Sequence, residues 1–150
     1  MVVTHQHTPI YTYMPMLEYL NEYRSVIHLL LHVLVPGMVA LVIAKFTELN
    51  AWKVLLILVL TMLVDADHLL ADPIYAPNRC SIMFHPLHTF WPMLVYGVMT
   101  IWPLFKTFLG RSNAYTDKMV GLVGLGLVIH MVLDYTDCVW MKGSWVISLS

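Results

Sequence analysis

Charge is scarce in this sequence. Lysine, arginine, aspartate and glutamate make up 11% of its 150 residues, against roughly 25% in an ordinary soluble domain. Basic residues number eight, and they are scattered. No basic stripe or aromatic-interleaved patch exists to hold a nucleic acid, so that partner class is set aside. The two cysteines, Cys80 and Cys138, are too few for a disulfide scaffold. No internal repeat or low-complexity tract stands out. The first fifteen residues, MVVTHQHTPIYTYMP, lack the basic and apolar regions of a cleavable signal, so insertion into a membrane is expected to rely on internal segments.

What fills the chain is apolar: 59% of the residues are hydrophobic. A domain this small could not cover its surface with so few charges, so lipid is expected to cover it. The expected fold is an all-α membrane protein, an up-down bundle of four transmembrane helices. Residues 1–25 form a polar and interfacial segment, with Tyr11, Tyr13, Tyr19 and Tyr23 suited to a membrane–water boundary. The four-helix domain occupies 26–138, with spans near 26–44, 54–71, 88–105 and 119–135, and a tail follows over 139–150. Pro36-Gly37 is expected to kink the first span. Gly121, Gly124 and Gly126 suit close approach between the fourth helix and a neighbour.

Eight histidines nearly equal all the carboxylates in number. In an up-down bundle the polar residues of the spans fall near one membrane face. His28 and His32 lie early in the first helix, and Asp65, Asp67 and His68 late in the second. His85 and His88 lie at the start of the third, and His130 and Asp134 late in the fourth. His28 and His32 are four apart, Asp65 and His68 three, His130 and Asp134 four. Each pair therefore shares a helix face.

Ionisable side chains at membrane depth are costly and need partners. A mixed imidazole and carboxylate set suits Zn, Mn or Fe. The expected metal ligands are His32, Asp65, Asp67, His68, His88, His130 and Asp134, with Asp65, His85 and Asp134 as catalytic candidates. The set exceeds the three or four ligands of one zinc. Either two ions bridged by Asp65 or Asp67, or carboxylates that orient imidazoles from behind, would account for the excess. His28 reads more readily as a packing or interfacial residue, Asp137 as interfacial and Asp72 as a turn residue. His5 and His7 read as solvated.

Lys45, Lys53, Lys106, Arg111 and Lys118 flank the loops opposite the cluster, while Arg24, Arg79 and Lys142 share its side. The positive-inside rule then puts both termini and the cluster on the non-cytoplasmic side of an inner membrane. Cys80 and Cys138 would then face an oxidising compartment, where a disulfide could tie the 72–87 loop to the fourth helix.

The segments HLLLHVLVPG, MLVDADHLLADPI, PNRCSIMFHPLH and IHMVLDYTDCVW resemble a family of small bacterial membrane proteins of unknown function, over roughly residues 26–140. That family in turn distantly resembles the YdjM-like membrane-bound proteins, described as metal-dependent hydrolases. Those show a His in the first helix and PDxDH-type, HRGxTHS-type and SHxxLD-type motifs. The resemblance implies that His32 matches the first His, that Asp65, Asp67 and His68 match the acidic motif, and that His130 and Asp134 match the last. In place of HRGxTHS this chain reads HPLHTF, with His85 and His88 closer together and neither Arg nor Gly.

The leading expectation is a metal-dependent hydrolase, with one or two ions and zinc first among them, acting on a lipid or membrane-associated ester, phosphoester or amide. The alternatives are a proton- or ion-handling protein, an accessory subunit with protein partners, and a haem-binding redox subunit. The sequence leaves the oligomeric state open.

Overall fold

In the computed structural model, residues 23–74, 76, 79–111 and 115–142 are described. His5, His7, Tyr11, Tyr13, Tyr19 and the apolar WVISL patch of the tail lie outside the described residues. The described chain is all helical. Helix α1 is Arg24–Phe46 and α2 is Ala51–Leu60, which passes without a break into a 3₁₀ segment, Thr61–Leu70. A short 3₁₀ turn, Pro86–His88, precedes α3, Phe90–Phe108, and α4 is Tyr115–Lys142. Two of these, α1 and α4, are long and apolar enough to cross a membrane. The second apolar run is divided between two helix types, and the third is diluted by Trp, Tyr and Pro.

Local chemistry sets several of these boundaries. The Asn50 side chain accepts the backbone N–H groups of Trp52 and Lys53, capping the start of α2. Helix α1 continues through Pro36, which has no N–H to offer the His32 carbonyl one turn earlier. Helix α4 extends past the expected end at 135 and takes Asp137 and Cys138 onto its last turns. His88 belongs to the turn before α3 rather than to the helix itself.

The 3₁₀ winding of Thr61–Leu70 has consequences for the polar residues. Its buried residues are Thr61, Val64 and Asp67, spaced by three as a threefold helix requires. In an α-helix, residues two apart point about 160° away from each other. At three residues per turn the separation falls to about 120°. Asp65 and Asp67 are thus swung toward a common side by the tighter helix.

Packing divides into two clusters. Ala40, Val54, Leu58 and Leu122 form one. Val64, Ile82, Tyr96, Met131 and Cys138 form the other, beside the polar residues. Glycine makes the close approach of α4 feasible. A Cβ on Gly124 would stand 2.6 Å from the Thr100 backbone nitrogen, and one on Gly126 would stand 2.7 Å from the Thr61 side chain.

The surface is the reverse of a soluble protein's. Leu41, Leu63, Trp91 and Phe108 are between 67% and 87% exposed, whereas His32, Asp67, His85, His88, His130 and Asp134 are all buried. Apolar residues face outward from every long helix, and the polar ones face each other.

Candidate metal centre

Four segments bring the polar residues to one place. The loop that supplies His85 and His88 is secured by several contacts. Cys80 is disulfide-bonded to Cys138 of α4. The Arg79 guanidinium donates to the carbonyls of Pro73 and Ile74 at 2.7 and 2.6 Å, and stacks over Phe84. The Tyr96 hydroxyl donates to the Leu87 carbonyl at 3.1 Å. Met83, with φ of 66°, takes the left-handed conformation, and its N–H donates to the His88 carbonyl at 3.0 Å, closing the loop on itself.

At the centre lie Asp65, His88, His130 and Asp134. His88 Nε2 is 3.3 Å from Asp65 Oδ1 and 3.2 Å from Asp134 Oδ2. His130 Nε2 is 3.1 Å from the same Asp65 oxygen and 3.6 Å from the same Asp134 oxygen. Ligands of a tetrahedral zinc, at ~2.0–2.1 Å from the ion, stand about 3.3–3.4 Å apart. The four observed edges bracket that value.

Tautomers sharpen the picture. Asp67 Oδ2 accepts the Leu87 N–H at 2.7 Å and lies 3.2 Å from His88 Nδ1. A carboxylate can only accept, so His88 Nδ1 carries the proton. In a neutral His88 the Nε2 lone pair then faces two carboxylate oxygens. His88 Nε2 and Asp134 Oδ2 are both buried and neither has a hydrogen-bond partner among the described residues. Acceptor set against acceptor in a buried site requires a cation between them or a second proton on the ring. Asp67 stands behind His88, as carboxylates do behind metal-bound imidazoles.

Asp134 has a second set of neighbours. Its Oδ1 is 3.2 Å from His28 Nε2 and 3.5 Å from His32 Nε2. His32 Nδ1 lies 2.9 Å from the His28 carbonyl oxygen, which only accepts, so Nδ1 carries the proton here too. Its Nε2 is buried without a hydrogen-bond partner among the described residues. Arg24 binds Asp137 at 2.7 Å, beside His28 Nδ1 at 3.9 Å from the same carboxyl group.

His68 and His85 form the third part. Their rings stack at 3.8 Å between centroids, and His68 Nε2 is 3.4 Å from Asp65 Oδ1. Burial pushes the His85 imidazole below its ordinary value, and the neighbouring His68 adds to the shift. Asp65 and His68 are about one-third exposed, whereas His88, His130 and Asp134 are closed off, so the centre opens on the Asp65 and His68 side.

Every site residue expected from the sequence therefore lies in this cluster. The largely buried groups Asp65–His88–His130–Asp134, His28–His32–Asp134 and Asp67–His68–His85 could each hold a metal ion. His28, read from the sequence as a packing residue, faces Asp134; its spacing of four from His32 was the available signal. Asp137, read from the sequence as interfacial, is the ion-pair partner of Arg24.

No curated protein and no solved structure matches the chain. One family model covers residues 22–141. Those residues include every described helix, save the last residue of α4, and every residue of the centre, and by them the chain belongs to the family of unknown function DUF6122.

Proposed function

We propose that this is a multi-pass integral membrane protein whose buried centre binds a divalent metal ion and hydrolyses an ester, phosphoester or amide bond of a membrane lipid. The observation that carries the reading is His88 Nε2 set, without a hydrogen bond, against the buried carboxylate of Asp134 at 3.2 Å. A divalent cation between them satisfies both. Zinc fits the spacing best, and Mn or Fe fits the ligand types.

The membrane part rests on the outward apolar surface and on length. Ten residues of α-helix followed by ten of 3₁₀ reach roughly 35 Å, and the 19 residues of α3 about 28 Å, each comparable to the ~30 Å of hydrocarbon. With α1 and α4, these two segments would give four spans. The disulfide supports an orientation with the centre on the non-cytoplasmic side, in agreement with the distribution of basic residues.

The lipid part rests on a groove of about 450 Å³ between the second span and α4, lined by Ile57, Leu60, Thr61, Leu63, Val64, Val123 and Leu127. Val64 adjoins Asp65 in the chain, and Leu127 is three residues before His130, so each wall continues along its own segment to a residue of the centre. An acyl chain in this groove would bring its polar end to the metal. Asp65, His88, His130 and Asp134 would hold the ion, which would polarise the scissile group and lower the pKa of bound water. His68, one-third exposed and against Asp65, is positioned to take the proton, with His85 stacked behind it. The residues whose motifs resemble those of the YdjM-like hydrolases, among them His32, Asp65, Asp67, His68, His130 and Asp134, are residues of this cluster.

The test is elemental analysis of detergent-purified protein, wild type beside His88→Ala and Asp65→Ala, followed by hydrolysis assays on lipid esters and phosphoesters. Stoichiometric Zn, Mn or Fe, lost in both variants, is the expected result. Wild type that holds no metal after reconstitution would sink the reading. A proton-handling role is the second reading, favoured by the run of side chains from Asp67 through His88 and Asp134 to His28. It predicts proton flux in vesicles and no hydrolysis. Haem fits poorly, since imidazoles 3.8–5.9 Å apart leave no slot for its flat ring.

A further inference from the structure

The proposed function uses one oxygen of Asp134 and leaves the other. Oδ1 of that carboxylate faces His28 Nε2 at 3.2 Å and His32 Nε2 at 3.5 Å, on the side away from Asp65 and His88. His32 is 3% exposed, its Nδ1 proton is committed to the His28 carbonyl, and its Nε2 has no hydrogen-bond partner among the described residues. A buried imidazole lone pair directed at a carboxylate oxygen repeats the arrangement of His88 on the other side of the same carboxyl group.

We infer that the centre is dinuclear: a second divalent metal ion binds between His28, His32 and Asp134, and Asp134 bridges the two ions through its two oxygens. This rests on the metal-binding reading of the first site. A bridging carboxylate suits ions about 3.5–4 Å apart. The second ion has three protein ligands, which leaves coordination positions for water. Asp134 takes the bridging role that the sequence suggested for Asp65 or Asp67. Asp67 is occupied behind His88, and Asp65 faces only the first set and His68.

Charge supports the same count. Asp65, Asp67 and Asp134 face the cluster, and their ion-pair partners among the described residues are all imidazoles. Arg24 is engaged with Asp137, and Lys106 with Asp117. With neutral imidazoles the three carboxylates leave three negative charges. One divalent ion leaves one of these uncompensated, whereas two ions sharing a hydroxide bring the sum to zero. Uncompensated charge at membrane depth is strongly disfavoured.

The experiment loads the full-length, detergent-purified protein with Mn(II) and reads both metal content and the electron paramagnetic resonance spectrum. Wild type should bind two equivalents and show the broadened spectrum of exchange-coupled ions. His28→Ala/His32→Ala should bind one equivalent and show the resolved hyperfine pattern of an isolated ion, with an unchanged elution volume on gel filtration as the control for folding. His28→Ala alone, at a partly exposed position, gives a milder variant that should weaken the second equivalent selectively. Wild type with a single, uncoupled equivalent that His88→Ala removes and His28→Ala/His32→Ala retains would overturn the second site and leave the first intact. Two equivalents retained in the double variant would also overturn it. Wild type without metal would overturn both readings together.

Discussion

At the scale of single residues, the decisive feature is which nitrogen of each imidazole is committed. Asp67 fixes the His88 tautomer from behind, and the His28 carbonyl fixes that of His32. Asp67→Asn keeps the shape but removes the charge that raises ligand basicity. Metal affinity is expected to fall about 10- to 100-fold, as is usual when the partner behind a metal-bound imidazole is altered; competition against a calibrated chelator would measure it. His85 gives a pH dependence. Its imidazole is held below the ordinary 6.5 in the folded chain, so below that pH the unfolded chain takes up a proton that the folded one resists. Stability is therefore complete above 6.5 and is lost as pH falls from there toward the folded value. Thermal midpoints between pH 7 and 5 should decline less in His85→Gln than in wild type, and equal declines would refute the assignment.

At the scale of elements, the 3₁₀ segment and the disulfide-tied loop carry the site. The tighter winding of Thr61–Leu70 presents Asp65 and Asp67 to a common side. Tight packing of α4 on α3 then sets His130 and Asp134 against them. At Gly124 the approach is against backbone, where a Cβ would meet the Met99–Thr100 main chain at 2.6–2.8 Å. Gly124→Val should destabilise the protein by roughly 1–3 kcal/mol, the usual range for overpacking, visible as a lower melting midpoint in detergent. Gly97→Ala, where nothing lies within 4 Å of the added carbon, should leave the midpoint unchanged or slightly raised.

At the scale of the whole molecule, the exterior is apolar and the interior holds the polar cluster, and two helices, α1 and α4, are long and apolar enough to cross a membrane. The Cys80–Cys138 bond closes a loop of 58 residues and pins the His85/His88 segment to the end of α4. Cys80→Ser/Cys138→Ser should cost about 2–4 kcal/mol, typical of a native disulfide. Because the same loop holds His88, faster metal loss on chelator challenge is expected alongside the lower melting midpoint. Stability lost with no change in metal retention would show that the loop's hydrogen bonds, from Arg79, Met83, Tyr96 and to Asp67, are enough to hold it.

The apolar runs, the pairing of His28 with His32 and of His130 with Asp134, and the convergence of four polar groups were legible in the sequence, because helical periodicity and alternating direction depend only on spacing. The sequence alone determined that these residues had to find each other, since nothing else in a chain with 11% charge could satisfy them. Which contacts formed was decided by tertiary structure. Spacing did not reveal that the second apolar run changes to 3₁₀ at Thr61, where the Thr61 side chain packs against Gly126 of α4. Nor did it separate Asp67 from Asp65, or turn the two oxygens of Asp134 to opposite sets of imidazoles. Those outcomes depend on the rotation of each helix against its neighbours. Side-chain packing fixes that rotation only when all the helices are in place.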